Sequence, residues 1–507
     1  MVASSLKAVI WWIKRDFRLE DNLALTNALS SGLSVIPLYV IEPEVYNAPD
    51  WSNFHSGAVR QALVALRSQL LSRGASLFIG HGPFETIFQN LAQYLSIHAI
   101  YSHEETGLEV SFARDRRIRS WLKSKGVPWF ESPTNGVVRG LRDRDKRRSV
   151  WFARINQVPL PSPEWILQSS AVRRALEDSE VLTHSVIPLS ESGSSVQVIT
   201  EEAALKTVDS FLSDRGYGYS GGISSPLTAF EHGSRLSPHL AWGTVSLRQV
   251  YRAAEIAKRY WRVASGEDAV RWRRSLNAFT SRLHWHDHFI QRLESEPLME
   301  FEALNSAFRE IEYVDERERL QRWVAGETGV PMVDACMRCL ASSGFLNFRM
   351  RAMVVSYACH VLHLSWRDIL YPLAQLFLDY EPGIHVSQIQ MQAGVVGINT
   401  VRVYNPDKQM IEQDPEAIFI RRWLPELRDC SVEQIRNYKH LPQRGYPKPI
   451  VDYLSSSKKM KSQLYRIKRS AQGKVEGQQV LLKHGSRKRR VGRKKKNTNQ
   501  LELFSDS

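Results

Sequence analysis

The sequence predicts an α/β amino-terminal domain built on a doubly wound parallel sheet, followed by an all-α carboxyl-terminal domain. Three observations carry that expectation. Short apolar runs alternate with stretches of helical spacing from Lys7 to Phe130. The apolar runs are continuous rather than alternating, as in strands covered on both faces. From Glu201 to about Arg436 such runs disappear and apolar residues recur at helical spacing.

KAVIWWIK (Lys7–Lys14) is the first strand, and RDFRLEDN follows it. The apolar run is short, charge comes directly after it, and no small-residue cleavage site is present, so it reads as a strand and not a signal peptide. Helical spacing over Ala24–Leu29 leads to a strand at Val35–Ile41. The alternation continues with helix Gly57–Ser72, strand Ala75–Ile79, helix Glu85–Leu95, strand Ala99–Ser102, helix Val110–Ser124 and the run Pro128–Phe130. Helices between successive strands imply parallel pairing, and ligands of such sheets bind at the carboxyl ends where strand order reverses. Neither GxGxxG nor a phosphate loop is present to name the ligand.

The domain limits follow: 1–131 for the α/β domain, 132–200 for a connector, 201–440 for the helical domain and 441–507 for a tail. The connector holds a basic patch, Arg139–Arg148, then Pro159, Pro161 and Pro163. From Lys458 onward there are 16 Lys and Arg against 3 Asp and Glu, a surplus of 13 that leaves only +2 of the net +15 for everything before it. Blocks such as Arg487–Arg490 and Arg493–Lys496 are of the kind that is disordered and binds polyanions. No apolar run is long enough to span a bilayer. The four cysteines, Cys336, Cys339, Cys359 and Cys430, suggest no disulfide framework and a reducing compartment. Cys336 and Cys339 fall within the helical pattern VDACMRCL as small apolar residues, with spacing unlike an iron–sulfur motif.

One stretch, Trp323–Pro406, reads as several buried helices joined by short loops. Arg349, Arg351, Asp379, Glu381 and His385 sit among its apolar runs, and buried charges need a partner or a ligand.

Several ordered motifs resemble the photolyase/cryptochrome flavoproteins. KAVIWWIKRDFRLEDNLAL resembles the family's opening. GSRLSPHLAWGTVSLRQV (Gly233–Val250) looks like its flavin-phosphate motif, and SRLHWHDHFIQRL (Ser281–Leu293) like the helix that carries its DNA-facing Trp. GETGVPMVDACMRCL and RVYNPDKQ match as well, and the resemblance spans roughly Lys7 to Arg428. It implies FAD in the helical domain, an antenna chromophore of open identity on the α/β domain, and damaged DNA as partner.

Residue by residue, the resemblance places Gly233, Ser234, Arg235, Leu236 and Ser237 at the flavin phosphates, with Tyr219 covering them. Taken alone, Ser-x-x-Ser before a helix is a cap pattern; with adjacent backbone N–H groups it also holds a pyrophosphate. Gly233 stands where the family usually has Thr. Arg351 and Asp379 fall on the charged pair beside the flavin ring, followed by Tyr380 and Glu381. His286 is expected to face the flavin, and His385 stands where many members place Asn against flavin N5. His284 and His288 share a helix face, but no third ligand completes a metal site.

The same alignment shows departures. The three-tryptophan relay that commonly reduces the flavin reads Ile389, Trp366 and Tyr313, and Ile cannot carry an electron hole. Phe345 offers no substitute; Trp323 or Tyr357 are alternative carriers. The lesion pocket reads Arg282, Phe348 and Ala352 where a Glu, an Asn and a Met are common. Trp285 is retained for stacking on a flipped base and Arg349 for phosphate, while Met391 replaces a second stacking Trp. Trp285, Arg282 and His385 are the expected catalytic residues. The side chains that bind a folate antenna are not evident around Glu109–Asp115. The last apolar cluster, Gln500–Phe504 (QLELF), resembles the pentapeptide with which bacterial repair proteins dock on the sliding clamp through Gln500, Leu501, Leu503 and Phe504. Together these lead to the expectation of a monomeric, cytoplasmic, bacterial blue-light DNA repair enzyme, with a cryptochrome-like photoreceptor as the alternative.

Overall fold

The computed structural model describes residues 6–177, 179, 182–183, 187–189, 196–440 and 445–485. Six strands form one sheet in the order β5-β4-β1-β2-β3-β6. They are β1 (Lys7–Ile13), β2 (Ser34–Ile41), β3 (Phe78–His81), β4 (Ser96–His103), β5 (Trp129–Ser132) and β6 (Leu182–Thr183). β1 to β5 are parallel, and β6 pairs antiparallel with β3 at the edge. Every expected strand is present within a few residues of its expected limits. β6 has no counterpart in the sequence reading because a two-residue edge strand carries too little apolar pattern.

The alternation of side chains along β1 explains its continuous apolar run. Val9, Trp11 and Ile13 join a core under helices Leu23–Leu29 and Asn53–Leu71, whereas Ala8, Ile10 and Trp12 join a second core under Phe84–Tyr94 and Glu109–Ser124. The chain runs from β1 outward to β3, then crosses back to β4, so the order reverses beside β1.

The chain divides into two compact units. The first comprises the residues up to Glu300 with Arg338–Phe348 and Leu370–Ser387; the second comprises Phe301–Met337, Arg349–Ile369 and the residues from Gln388 onward. The connector is more structured than expected. Helix Arg147–Ile155 buries Trp151 and Ile155, and helix Ser170–Glu177 buries Val172 and Leu176. The expected disordered tail is also corrected over its first part. Tyr453–Arg469 and Ala471–His484 are helices with Met460, Leu464 and Val480 buried. Apolar residues at helical spacing among many lysines carried that signal, and the net charge masked it. The clamp-like Gln500, Leu501, Leu503 and Phe504 lie outside the described residues.

In the first unit a buried ion network closes the carboxyl ends of the central strands. Lys14 Nζ donates to both Asp115 carboxylate oxygens at 3.1 and 3.2 Å, and Arg114 donates to Asp115 at 2.8 and 3.0 Å and to Glu42 at 3.0 Å. Burial alone raises the Asp115 pKa, but the charges and hydrogen bonds of Arg114 and Lys14 outweigh it and hold the carboxyl at about 2. A folded value below the ordinary carboxylate value means stability that is full above about pH 4 and lost as pH falls towards 2. Asp115→Asn is therefore expected to cost about 3 kcal/mol at neutral pH and to flatten that acid limb, as read by thermal unfolding against pH. An unchanged acid limb would contradict this assignment.

Candidate cofactor and nucleic-acid site

The segment after β1 organises the first unit. Arg15 Nη1 donates to the Tyr380 carbonyl at 3.1 Å, and Arg18 Nη1 donates to the Gly243 carbonyl at 2.9 Å. Asp21 accepts from Ser246 and Arg248, and the Glu201 carboxylate accepts the backbone N–H groups of Leu19 and Glu20 at 3.0 to 3.2 Å. Gly243 has φ +65°, and a Cβ there would lie 2.0 Å from the Arg15 carbonyl oxygen, so only glycine permits this approach. The opening motif RDFRLED thus fastens the second half of the phosphate-like motif.

Within that motif, Gly233 closes helix Ala229–His232. A Cβ at Gly233 would meet the Ala229 carbonyl oxygen at 2.4 Å, which accounts for glycine where the resemblance leads one to expect threonine. Arg235 takes a left-handed conformation, φ +58°, that sends its guanidinium over the rings of Phe345 (3.8 Å) and Phe230 (5.1 Å). Ser234 Oγ accepts from the Leu236 N–H, and Ser237 opens a short helix to Ala241. Leu236 and Tyr219 are buried, the latter against Phe211 and Phe279.

Helix Glu267–Ser295 carries the remaining expected residues of this unit. Asp287 is fully buried and already satisfied: its carboxylate accepts from the Trp151 indole at 2.7 Å, the Gly136 N–H at 2.8 Å and His286 Nδ1 at 2.9 Å. Burial opposes the charged form of His286, but its bond to Asp287 and the charges of Asp287 and Glu381 outweigh it and raise its pKa. Burial raises the Glu381 carboxyl, with Arg15 and His286 acting against it. Arg282 folds back, donating to the Ala278 carbonyl at 2.9 Å and lying 5.4 Å above the Tyr219 ring. Trp285 and Phe348 remain outside, 41% and 45% exposed, which is unusual for side chains of this size.

The 377–385 segment is pinned through Tyr380 and His385. The Tyr380 hydroxyl donates to Asp50 at 2.8 Å, and the Tyr380 ring stacks on His55. His385 Nε2 donates to the Leu370 carbonyl at 2.8 Å. With Nε2 so committed, the ring donates elsewhere only from Nδ1, and only when both nitrogens carry protons. The sequence reading missed Asn347. It donates through Nδ2 to the Ile223 and Ser224 carbonyls at 3.1 and 2.7 Å, while its buried Oδ1 has no partner among the described residues. A buried acceptor left open, in the same unit as half-buried Asp379 and a phosphate-type loop, fits a nucleotide cofactor with donor groups on its ring.

Arg349, Arg351, Met391, Trp366 and Tyr313 belong to the second unit. Trp366 is buried with the Arg367 guanidinium 4.9 Å from its ring, a cation that disfavours a positive hole on the indole. Ile389 is buried in the same unit, and burial raises the pKa of the Tyr313 hydroxyl. Cys336, Cys339, Cys359 and Cys430 are buried free thiols.

At the carboxyl ends of β1 and β2, Trp12, Lys14, Glu42, Tyr46, Glu105 and Arg114 enclose a cavity of about 30 Å³.

This combination, a parallel α/β sheet with a helical remainder bearing a phosphate-type loop and an exposed tryptophan, defines a nucleotide-cofactor protein of the flavoprotein type. Comparison with known proteins agrees. The profile of the DNA photolyase domain matches residues 9–143, and that of the FAD binding domain of DNA photolyase matches residues 279–466. A deoxyribodipyrimidine photo-lyase of Thermus thermophilus is 31% identical over 427 residues, covering 82% of this chain and 91% of that protein. A chloroplastic/mitochondrial cryptochrome DASH of Solanum lycopersicum is 27% identical over 483 residues, covering 87% of this chain and 80% of that protein. The crystal structure of an archaeal photolyase from Sulfolobus tokodaii with two FAD molecules superposes with a TM-score of 0.70 at 26% identity, covering 90% of this chain and 99% of that one. The chain belongs to the photolyase/cryptochrome family.

Proposed function

We propose that the chain is a light-driven DNA repair enzyme of the deoxyribodipyrimidine photo-lyase type, acting on cyclobutane pyrimidine dimers. The observation that carries this reading is Trp285, a large aromatic held at the surface by the same helix whose buried face holds His286 and Asp287. Such a ring stacks on a base taken out of the helix. The identity to the Thermus photo-lyase over most of both chains supports the same choice.

In this reading Ser234, Arg235 and Ser237 hold the cofactor's phosphates under Tyr219. Asp379, Tyr380, Glu381 and His286 of the first unit serve its ring, with the His286 pKa raised by Asp287; Arg351 is assigned to the ring by the family resemblance. The chemistry a bound reduced flavin supplies is light-driven donation of one electron to the dimer and its recovery after the ring opens. Arg282, Trp285 and Phe348 of the first unit serve the lesion, Arg349 and Met391 are assigned to it by the family resemblance, and His385 is a donor only when doubly protonated. Trp366 and Tyr313 remain as carriers of an interrupted relay, so electrons reach the cofactor by another route. We also propose an antenna chromophore of open identity; the archaeal photolyase with two FAD molecules supports it.

A second reading, a photoreceptor without repair activity, is favoured by Phe348 and Ala352 in the lesion pocket and by the cryptochrome DASH relative. The two separate in a photolyase-deficient bacterial strain exposed to ultraviolet light. Expression of this chain is expected to raise survival under blue light and not in the dark; equal survival in both would favour the photoreceptor. No described helix is long and apolar enough to cross a membrane, and we propose a cytoplasmic monomer. The motif at Gln500, Leu501, Leu503 and Phe504 is proposed to dock on the sliding clamp. Leu503→Ala with Phe504→Ala is expected to abolish clamp pull-down while keeping light-dependent survival; retained pull-down would remove that assignment.

A further inference from the structure

Helix Tyr453–Arg469 lies in the second unit and takes no part in the site above. It holds six Lys and Arg and neither Asp nor Glu, so nothing within the helix neutralises its charge. Asp452, just before it, caps the first turn by accepting from the Ser455 N–H at 2.9 Å. One face fixes the helix to its unit. Met460 and Leu464 are each 1% exposed, the Tyr453 hydroxyl donates to the Tyr404 carbonyl at 3.2 Å, and the Ser456 hydroxyl donates to the Val361 carbonyl at 2.5 Å. Lys468, on the flank, donates to the Asn399 carbonyl. The opposite face carries Lys458, Lys461, Ser462, Tyr465, Arg466 and Arg469, spaced by three and four residues. These six line one open groove of about 780 Å³. Lys458, Lys461, Arg466 and Arg469 are exposed, and none has an ion-pair partner among the described residues. The Arg469 guanidinium lies 5.7 Å from the Tyr465 ring.

Like charges three and four residues apart destabilise a helix, so this stripe is not there for the helix itself. Four cations along about 16 Å of helix axis complement a partner whose negative charges also repeat along a line. Duplex DNA is such a partner, with one phosphate charge per about 1.7 Å of its axis. Contacts of Lys and Arg to phosphodiester oxygens carry no sequence information. An anionic membrane is the other extended array of negative charge, but a helix lying on it also inserts apolar side chains. Between 458 and 469 no large apolar side chain is exposed, and the apolar face of the helix is committed to its own unit. We propose that this stripe is a docking surface for the phosphodiester backbone of duplex DNA, independent of sequence and of damage. The choice of DNA rests on the repair reading, to which the stripe adds a contact that does not involve the lesion.

The test uses the full chain carrying its flavin, in the dark, with two undamaged duplexes of unrelated sequence and phosphatidylserine vesicles as probes. Lys458→Gln, Lys461→Gln, Arg466→Gln and Arg469→Gln are combined in one variant. All four side chains are exposed and Gln forms helix about as readily, so the melting temperature is expected to stay at or above the parent's. The parent is expected to bind both duplexes alike. The variant is expected to bind them about tenfold or more less tightly, with the slope of log K against log salt smaller by about two to four. A milder variant, Lys458→Gln with Lys461→Gln, is expected to show about half that change in slope. Equal affinity and slope in parent and variants overturn the proposal. So does a loss of vesicle binding in the fourfold variant while duplex binding holds, which assigns the stripe to a membrane. Loss of duplex binding on changing Arg487, Lys488, Arg489 and Arg490 to Gln, with none in the stripe variants, overturns it as well. Because the duplexes are undamaged and unlit, failure of light-dependent survival leaves each of these outcomes readable.

Discussion

Asp334→Ala is expected to lower the unfolding free energy by about 3 to 5 kcal/mol, a loss as large as breaking a buried ion pair. Asp334 is fully buried in the second unit, at the start of helix Pro331–Ser343. Its carboxylate accepts from the Thr328 N–H at 2.8 Å, the Gly329 N–H at 2.9 Å, the Thr328 hydroxyl at 2.6 Å and the Tyr446 hydroxyl at 2.6 Å. Alanine strands four donors at once, two of them backbone groups in a turn where Gly329 has φ +79°. Asp334→Asn keeps the shape and part of the acceptor capacity, so it is expected to cost about half as much. Urea unfolding of both variants checks this; a loss below about 1 kcal/mol for alanine would show that water replaces the carboxylate.

Trp285→Ala is expected to weaken binding to dimer-containing DNA by about tenfold to a hundredfold, the equivalent of one lost base-stacking contact. Its ring is exposed, so truncation leaves no cavity, and stability and flavin content are expected to stay at the parent level. Affinity for undamaged duplex is expected to hold, because a stacked, paired base is not presented to the ring. Fluorescence anisotropy with matched damaged and undamaged duplexes measures both. Equal losses on the two substrates would place Trp285 at a general DNA contact instead of a lesion contact.

The sheet was legible because burial on both faces turns strands into unbroken apolar runs, as Lys7–Ile13 and Ser34–Ile41 show. The phosphate loop and the Trp-bearing helix were legible as motifs, since close approach and helix faces fix residue types at fixed offsets. What stayed hidden depends on distant partners. Arg15, Arg18 and Asp21 lie in one recognisable motif, yet nothing local says that they reach Tyr380, Gly243 and Arg248. Asn347 looks like an ordinary helix-entry residue until its open Oδ1 is seen. The folded helices after Tyr453 were masked by lysines that lie on their solvent faces. The partner of His385 Nε2, the Leu370 carbonyl fifteen residues away in sequence, was not legible either.

The central claim is that this chain repairs dimers with light. Its most direct measurement is the absorbance of a thymine-dimer oligonucleotide near 260 nm, mixed with the chemically reduced protein and followed in the dark and then under blue light. Chemical reduction removes the interrupted Trp366–Tyr313 relay from the question. Repair predicts a flat trace in the dark and a rise on illumination as the 5,6 double bonds return, continuing beyond one dimer per protein. A trace that stays flat under light, with the flavin verified as bound and reduced, would contradict the account.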